Sequence, residues 1–437
     1  MTDHAVTDVM PAAPPGNCAS TFRKINVRLL PFLLLCYVLA YLDRVNIGFA
    51  KLAMQSEAGI GDAVYGLGAG IFFVGYFLFE VPSNLLQTRI GVRRTISRIM
   101  VLWGCCSVAM IFVRGPYSFY TLRFLLGVFE AGFAPGMLLY LTLWYPAAQR
   151  ARIMAFVLLA GPVSNIIGGP VSGFAISMLD GVAGLAGWKW LFIVEGLPSV
   201  VVGITAFFYL DDRPKDARWL TDAERQQVAQ ALSATERGAQ GSFLAALRNP
   251  RVYALAMVYF STICGLYTAS FWLPTLLREA GVTNLRTIGY ITAIPYIGAV
   301  VAMLLNARSS DLKGERRLHY VVPSLAGAAG LAMAAFDPHN LVVAMIGLGL
   351  ATIATYAAYS VFWAAPTSAF KGTAAAGGIA LINCIGALGG FVSPTVIGFV
   401  KDLTGSLGGG LFAMAAIIGL GALVRLSVRL PGDTLRS

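Results

Sequence analysis

Long apolar runs dominate this sequence and limit the folds open to it. The runs recur along the whole chain, and many reach about 18 residues or more, enough for a helix to cross a bilayer. Hydrophobic residues make up 57% of the sequence and charged residues only 12%. Because backbone groups cannot bond to water inside a bilayer, such runs predict helices. The sequence therefore predicts an all-α polytopic membrane protein.

The distribution of positive charge predicts how the chain is oriented. The net charge is +11, which by itself could suggest a nucleic-acid partner. Twelve spans can be marked, however, and most lysines and arginines then fall in the loops on the side of the two chain ends. Positively charged loops remain cytoplasmic. We therefore expect both termini in the cytoplasm, a lipid bilayer as surroundings and no nucleic-acid partner.

The spans fall into two sets of six, and the sets repeat each other. Five positions of the first half recur with the same spacing in the second: Gly66, Gly75, Gly91, Arg93 and Arg94 correspond to Gly289, Gly298, Gly314, Arg316 and Arg317. A duplicated six-helix unit predicts two pseudo-symmetric bundles with a binding site between them. The predicted organisation is a disordered tail (1–22), a first bundle (23–210), a cytoplasmic linker with an amphipathic helix (211–249), a second bundle (250–430) and a tail (431–437).

Four charged residues inside the first set of spans are the candidate working parts. Asp43 and Arg44 end the first span, and Arg123 and Glu130 lie two helical turns apart in the fourth. Charges within a membrane usually face a cavity and a partner. Guanidinium groups bind carboxylates through two parallel hydrogen bonds, so Arg44 and Arg123 are candidate anion ligands. Burial favours a neutral carboxyl group and a nearby arginine favours a charged one, so Asp43 and Glu130 are candidate proton sites.

These charges have an alternative interpretation, as do the weaker polar candidates. All four could instead form a static structural set, with Asp43 and Arg44 near a membrane interface, Arg123 snorkelling and Glu130 bonded internally. Structural hydrogen bonding or gating is the better interpretation for Glu80 and Glu195, whereas for Asn165, Asn383, Tyr41 and Tyr76 a substrate contact and a packing role are both open. The three histidines lie outside the apolar runs and the six cysteines are scattered. We therefore expect no metal site and no cofactor besides the coupling proton.

Several motifs resemble the Major Facilitator Superfamily and, within it, the anion:cation symporter family. They are Tyr-Leu-Asp-Arg-Val-Asn-Ile-Gly-Phe-Ala at 41–50, Glu-Val-Pro-Ser-Asn-Leu-Leu at 80–86, the segment 123–136, Trp-Lys-Trp-Leu-Phe-Ile-Val-Glu-Gly-Leu-Pro at 188–198 and Ser-Phe-Trp-Leu-Pro at 270–274. The resemblance implies a bacterial inner-membrane permease, similar to those for tartrate, phthalate, hydroxyphenylacetate and sugar acids, that acts as a monomer.

The resemblance also implies roles for particular residues. It places proton sites at Asp43 and Glu130 and carboxylate ligands at Arg44 and Arg123. Pocket residues follow at Tyr76, Asn165, Trp363 and Asn383. Loops that lock conformations contain Arg93 and Arg94 in the first half, and Asp311, Arg316 and Arg317 in the second.

The function predicted from the sequence is secondary active import of a small organic anion by proton symport. An exporter, a uniporter or an efflux carrier of the same fold is the alternative. Two arginines inside the membrane suit an anion better than a lipophilic cation. We find no nucleophile–base pair and no nucleotide or metal motif, so the sequence does not favour an enzyme. The aromatic residues of the second half favour an aromatic acid slightly over a hydroxy or sugar acid.

Overall fold

The computed structural model of this protein describes residues 16–233, 248–369, 373–428 and 430, and the regular elements in those ranges are helices. Twelve helical segments are long and apolar enough to cross a membrane. The predicted all-α fold with twelve spans is therefore confirmed. An even number of spans places the start of the first and the end of the last on one side, here called the terminal side; the other is the distal side.

The first bundle contains six spans, three of which are broken into two helices. Its helices are α1 (Gly16–Val45), α2 (Ile47–Glu57), α3 (Asp62–Ile90), α4 (Val92–Ala109), α5 (Pro116–Glu130), α6 (Phe133–Trp144), α7 (Ala147–Leu158), α8 (Ala160–Met178) and α9 (Gly187–Tyr209). The breaks matter for the site because α1 ends one residue after Arg44 and α5 ends at Glu130. Gly132 makes the break between α5 and α6 possible, since its φ of 87° is in the left-handed region.

The second bundle follows a short linker helix, α10 (Asp222–Ser233). Its helices are α11 (Pro250–Glu279), α12 (Leu285–Lys313), α13 (Arg317–Phe336), α14 (Leu341–Phe362), α15 (Ala364–Ala369), α16 (Thr373–Thr404) and α17 (Gly408–Ser427). Most of these helices are apolar around much of their circumference. They bury one face against their neighbours, and large side chains such as Phe336 remain exposed on the outer face, as expected for helices surrounded by lipid.

The predicted boundaries need one correction. Helix α1 begins at Gly16, so 16–22 are helical and are not part of a disordered tail. Phe22 is already buried there and stacks on Tyr145 at 6.1 Å, which explains why the helix starts early. The rest of the predicted tail, part of the linker (234–247) and the C-terminal tail (431–437) lie outside the described residues.

The linker helix α10 begins at a Thr-x-x-Glu sequence at 221–224, a pattern that predicts the start of a helix. Thr221 Oγ1 accepts a hydrogen bond from the backbone N–H of Glu224 at 3.3 Å, and the Glu224 carboxylate accepts one from the N–H of Thr221 at 2.8 Å. This reciprocal pair is a capping box. Lys24 bonds the same carboxylate at 2.8 Å, so α10 is fastened to the start of α1 on the terminal side.

The two bundles meet closely in the distal half. A Cβ atom placed on Gly66 of α3 would lie 2.3 Å from the carbonyl oxygen of Pro394 on α16. Gly169 of α8 approaches Gly289 of α12 in the same way, with a carbonyl oxygen 2.5 Å from a placed Cβ. Only glycine permits this backbone contact, because any side chain would push the helices apart. Two of the repeated glycines, Gly66 and Gly289, therefore form part of the junction between bundles.

Candidate functional site: a charge cluster between the bundles

Arg44 and Glu130 form a mostly buried ion pair at the centre of the molecule. Arg44 Nη2 donates to Glu130 Oε1, and the two side chains are 14% and 1% exposed. The second bundle supplies a third member, because Arg44 Nη1 donates to the Tyr267 hydroxyl at 2.6 Å. The guanidinium is therefore held by an acid of the first bundle and a hydroxyl of the second. We call Arg44, Glu130 and Tyr267 the charge cluster.

Aromatic rings surround the cation of this cluster. The Arg44 guanidinium lies 5.1 Å from the ring centre of Tyr41, 5.2 Å from Phe72 and 5.8 Å from Tyr76. Aromatic faces attract a cation, more strongly where water is excluded. These rings stabilise Arg44, which has one acid, Glu130, as its ion-pair partner within the described ranges. Tyr41 and Tyr76, predicted at the sequence level, thus both lie beside the candidate anion ligand.

The second bundle presents an aromatic wall to the same region. Tyr259 packs against Phe362 and Trp363, with ring centres 4.8 Å apart in each pair. Tyr41 and Tyr356, from opposite bundles, both approach Gly161 of α8: a Cβ there would lie 3.7 Å and 3.6 Å from their rings. Trp363 is therefore part of the aromatic wall.

Arg123 is placed differently from the expectation. Its side chain is 0% exposed, and its guanidinium donates to the backbone carbonyls of Gly68 at 3.2 Å and Ala69 at 3.4 Å. It also lies 5.2 Å from the ring centre of Phe72. Arg123 Nη1 is buried and has no hydrogen-bond partner in the part of the chain that the structure describes. Although Arg123 and Glu130 share a helix, the acid is paired with Arg44, and Arg123 instead ties α5 to α3 with one donor left over.

Asp43 points away from the charge cluster, into the first bundle. Its carboxylate is 1% exposed and accepts hydrogen bonds from Trp103 at 3.0 Å, Ser107 at 2.6 Å and Ser199 at 2.5 Å. Successive residues on a helix point about 100° apart, so neighbours in sequence serve different environments. The structure therefore separates the adjacent pair Asp43 and Arg44, and only Arg44 reaches the junction between bundles.

The remaining predicted polar residues lie at three different places. Glu195 is buried, and its carboxylate accepts from Ser172 at 2.8 Å inside the first bundle. Glu80 of α3 lies 3.5 Å from the Asn383 amide of α16, a contact that joins the bundles. Asn165 donates to the Gly161 carbonyl of its own helix at 3.0 Å.

The predicted gating loops lie on the terminal side. Asp311 and Arg316 form an ion pair at 2.5 Å, and Arg317 has a buried Nε atom without a partner. In the first bundle the backbone N–H of Arg93 donates to Asp212 at 2.8 Å, while Arg94 is exposed. Each of these contacts remains within one bundle or its linker.

A four-residue ionic network on the distal side is absent from the sequence-based predictions. Asp62 of α3 pairs with Lys51 of α2 and, at 3.0 Å, with Lys401 of α16. Lys401 also pairs with Glu279 of α11 at 2.5 Å. Lys51 is only 1% exposed, and its ammonium reaches Thr275 at 3.3 Å. We call Lys51, Asp62, Glu279 and Lys401 the distal network; it connects both bundles.

Sequence reasoning missed the distal network and the pairing of Tyr267 with Arg44 for one physical reason. Each member is ordinary in its own segment: the lysines and acids stand at span ends, where charges are common, and Tyr267 is one of 17 tyrosines. Only their pairing across the bundles makes them unusual. Among the described residues, no group of three histidine, cysteine or acidic side chains is arranged to hold a metal ion.

Comparison with known proteins identifies the family. Residues 33–394 match the family model described as the Major Facilitator Superfamily. The chain belongs to the Major Facilitator Superfamily. It is thus a multi-pass membrane transporter, not an enzyme, and the resemblance derived from its motifs is confirmed.

Similar proteins agree with this assignment. The chain is 48% identical to a proposed tartrate transporter of Agrobacterium vitis, over 92% of this chain and 93% of that protein. It is 44% identical to a proposed metabolite transport protein, NicT, of Pseudomonas putida, over 91% and 92% of the two chains. Among solved structures, a D-xylose–proton symporter superposes with a TM-score of 0.74 at 16% identity, covering 94% of this chain and 99% of that one. The last likeness concerns the fold alone.

Proposed function

We propose that this superfamily member imports a small organic anion, an aromatic or a hydroxy or sugar carboxylic acid, together with a proton by alternating access. The observation that carries the proposal is the Arg44–Glu130 pair, a cation able to bind a carboxylate and already matched to an exchangeable acid. The names of its relatives support the substrate class, since one is described as a tartrate transporter. In this proposal the carrier is a monomer in the bacterial inner membrane, with its termini in the cytoplasm.

Coupling follows from competition for one guanidinium. In the empty carrier Glu130 is the counter-charge of Arg44. A substrate carboxylate that binds Arg44 would replace Glu130 as the counter-charge. Two carboxylates around one cation leave a net negative charge in a buried place, which is unfavourable. Proton uptake by Glu130 relieves that charge, so anion and proton bind together.

The surroundings of the cluster suit this exchange. Glu130 Oε2 is buried and has no hydrogen-bond partner among the described residues, so one carboxylate oxygen is free to accept a proton. Aromatic rings from both bundles supply apolar walls against which the body of an organic acid would pack. Asp43 is proposed as a second proton site that acts at a distance, because hydrogen bonds from Trp103 and two serines keep it inside the first bundle. Arg123 is proposed to assist through its unpaired Nη1 atom.

The test is uptake into proteoliposomes that contain the purified protein. A panel of labelled acids, including tartrate and nicotinate, is offered with an imposed proton gradient, acidic outside. We expect accumulation of at least one acid that collapses when a protonophore is added. Uptake that does not depend on the proton gradient would favour a uniporter. Accumulation only when the gradient is reversed, with the acidic side inside the vesicles, would favour an exporter.

Glu130→Gln tests the proton role. The variant should lose gradient-driven accumulation but still exchange external for internal substrate, because exchange needs no net proton movement. Glu57→Gln is the matched control: Glu57 is 43% exposed, pairs with Lys189 at 2.9 Å and lies at the distal end of α2, outside the charge cluster. Full accumulation by Glu130→Gln would contradict the proposal, and so would an equal loss in the control variant.

A further inference from the structure

Tyr267 is the member of the charge cluster to which neither the motifs nor the proposed mechanism gives a role. It belongs to α11 of the second bundle and is 7% exposed. Its hydroxyl oxygen accepts a hydrogen bond from Arg44 Nη1 at 2.6 Å, across the junction between bundles. The bond therefore connects the anion ligand of the first bundle to a helix that moves with the second.

The hydrogen-bond count at Tyr267 leaves one donor unused. A guanidinium can only donate, so the tyrosine oxygen is the acceptor and its own O–H proton is free to donate. No second partner for this hydroxyl is recorded among the described residues. An unused donor beside a cation is the arrangement that an arriving carboxylate can satisfy, since a carboxylate only accepts.

Ring packing fixes where the Tyr267 hydroxyl oxygen lies. The Tyr267 ring meets Phe73 of the first bundle edge-to-face, with ring centres 4.6 Å apart, and stacks on Phe271 one turn further along its own helix at 5.3 Å. A side chain held on two sides loses little additional freedom when it binds a ligand, which favours affinity. The hydroxyl is thus positioned in advance beside Arg44.

We propose that Tyr267 is a substrate ligand, and that the substrate carboxylate is bound by Arg44 from one bundle and by the Tyr267 hydroxyl from the other. The inference rests on the proposed function and extends it by naming the second-bundle group that recognises the carboxylate. The substrate carboxylate replaces Glu130 as the acceptor of the hydrogen bond from Arg44 Nη2. The Tyr267 hydroxyl donates a second hydrogen bond to that carboxylate.

This arrangement explains how substrate binding changes the contacts of both bundles. Arg44 alone could hold an anion without any effect on the second bundle. A carboxylate that accepts from both Arg44 and Tyr267 adds a bridge beside their direct hydrogen bond, so the bundles are also linked through the substrate. A ligand shifts a conformational equilibrium only as far as its contacts differ between the two states. The shared carboxylate supplies such a difference, because the two groups separate if the bundles move apart.

Tyr267→Phe is the experiment, since it removes one oxygen and keeps the packed ring. Dissociation constants for nicotinate and tartrate are measured by isothermal titration on the purified protein, together with the thermal unfolding temperature. We expect the dissociation constant of the bound acid to rise at least tenfold, about 1.4 kcal/mol. The unfolding temperature of the empty protein should change little.

Tyr296→Phe is the matched control. Tyr296 is also a buried tyrosine of the second bundle, but its hydroxyl lies 3.3 Å from Ser270 and does not contact Arg44. Its loss should leave the dissociation constant within about twofold of the wild type, well under the tenfold step that corresponds to 1.4 kcal/mol.

A second measurement separates a ligand from a structural link. Nicotinamide, the uncharged amide of nicotinate, lacks the carboxylate that the two groups would share. The Tyr267→Phe variant should therefore lose the preference of the wild type for nicotinate over nicotinamide, or for tartrate over its diamide, by the same factor of at least ten. A tyrosine that only linked the bundles would weaken acid and amide equally.

The outcomes distinguish this inference from the proposed function. Wild-type protein that binds one of the two acids, with Tyr267→Phe binding it equally well, overturns the inference and leaves proton-coupled uptake intact. Weaker binding accompanied by an equal loss in Tyr296→Phe, or by an equal loss for the amide, also overturns it. Wild-type protein that binds neither acid contradicts the proposed function for these substrates and the inference with it.

Discussion

The distal network offers the sharpest test of how the carrier opens. We predict that Asp62→Asn shifts the protein away from the conformation described here, in which the bundles meet on the distal side. Asp62 is the acid shared by Lys51 of the first bundle and Lys401 of the second. Asparagine preserves the shape of the side chain and removes its charge. Lys401 retains Glu279 at 2.5 Å, but Lys51 is left with no ion-pair partner among the residues described.

The free-energy cost of Asp62→Asn in the closed state follows from the burial of Lys51, which is 1% exposed. Removing one partner of a buried ion pair costs about 3–5 kcal/mol. We take the lower value because Asp62 itself is 14% exposed and because the Trp272 ring, 4.4 Å from the ammonium, still stabilises the cation. When the distal side opens, water solvates Lys51, so the cost falls mainly on the closed state. About 3 kcal/mol corresponds to a roughly hundredfold shift toward opening.

The assay is the rate of maleimide labelling at a cysteine placed between the bundles. Thr395 of α16 is suitable because its hydroxyl lies 3.4 Å from the Gly66 carbonyl of α3, within the closed junction. With the native cysteines replaced, Thr395→Cys should label slowly alone and up to a hundredfold faster when combined with Asp62→Asn, by the same conversion of free energy to population.

A second ion pair on the distal surface provides the control. Glu57→Gln breaks the pair with Lys189, which is exposed and lies within the first bundle. Exposed pairs contribute about 0–1 kcal/mol, and this pair does not join the bundles. Thr395→Cys combined with Glu57→Gln should therefore be labelled at the same rate as Thr395→Cys alone. An unchanged rate in Asp62→Asn, or an equal increase in Glu57→Gln, would refute the reasoning.

Two further predictions concern the junction and the terminal-side loop. Gly66→Val should abolish transport while the protein still folds, because a Cβ 2.3 Å from the Pro394 oxygen prevents distal closure; transport at the wild-type rate in proteoliposomes would contradict this. Burial raises the pKa of Glu315, but hydrogen bonds from the Leu318 N–H and from His319 have the larger combined effect. The pKa of Glu315 therefore lies below the ordinary value for glutamate, which is about 4.3. The stability that this carboxylate contributes is therefore present above that pH and lost as the pH falls through the lowered pKa. The unfolding temperature of Glu315→Gln should lie below that of the wild type at pH 7 and converge with it in acid, whereas a constant difference would argue against the charged form.

Much of the fold could be read from local sequence. Twelve apolar runs, a glycine and arginine pattern repeated between halves and a capping box at Thr221 each depend on residues close in sequence, and each is present as predicted. The start of α1 was placed too late because Phe22 is stabilised by Tyr145, a residue remote in sequence.

The candidate site was predicted only in part. Intramembrane charge singled out Arg44 and Glu130, because burying a charge in a membrane is costly and such residues are rare. The same reasoning grouped them with Asp43 and Arg123, which the structure places elsewhere: Asp43 among hydrogen-bond donors of the first bundle and Arg123 against backbone carbonyls of α3. Composition cannot tell these environments apart, since each depends on which helix lies opposite.

The sequence alone thus determined the number of spans, the duplicated halves and the residues that carry unusual charge, because membrane insertion constrains each segment by itself. Only the tertiary structure decided which charges are partners. Helix rotation separated Asp43 from Arg44, a break after α5 turned Glu130 toward Arg44, and contact between the bundles brought in Tyr267 and the distal network. Those pairings form between helices far apart in the chain, so no local pattern could have specified them.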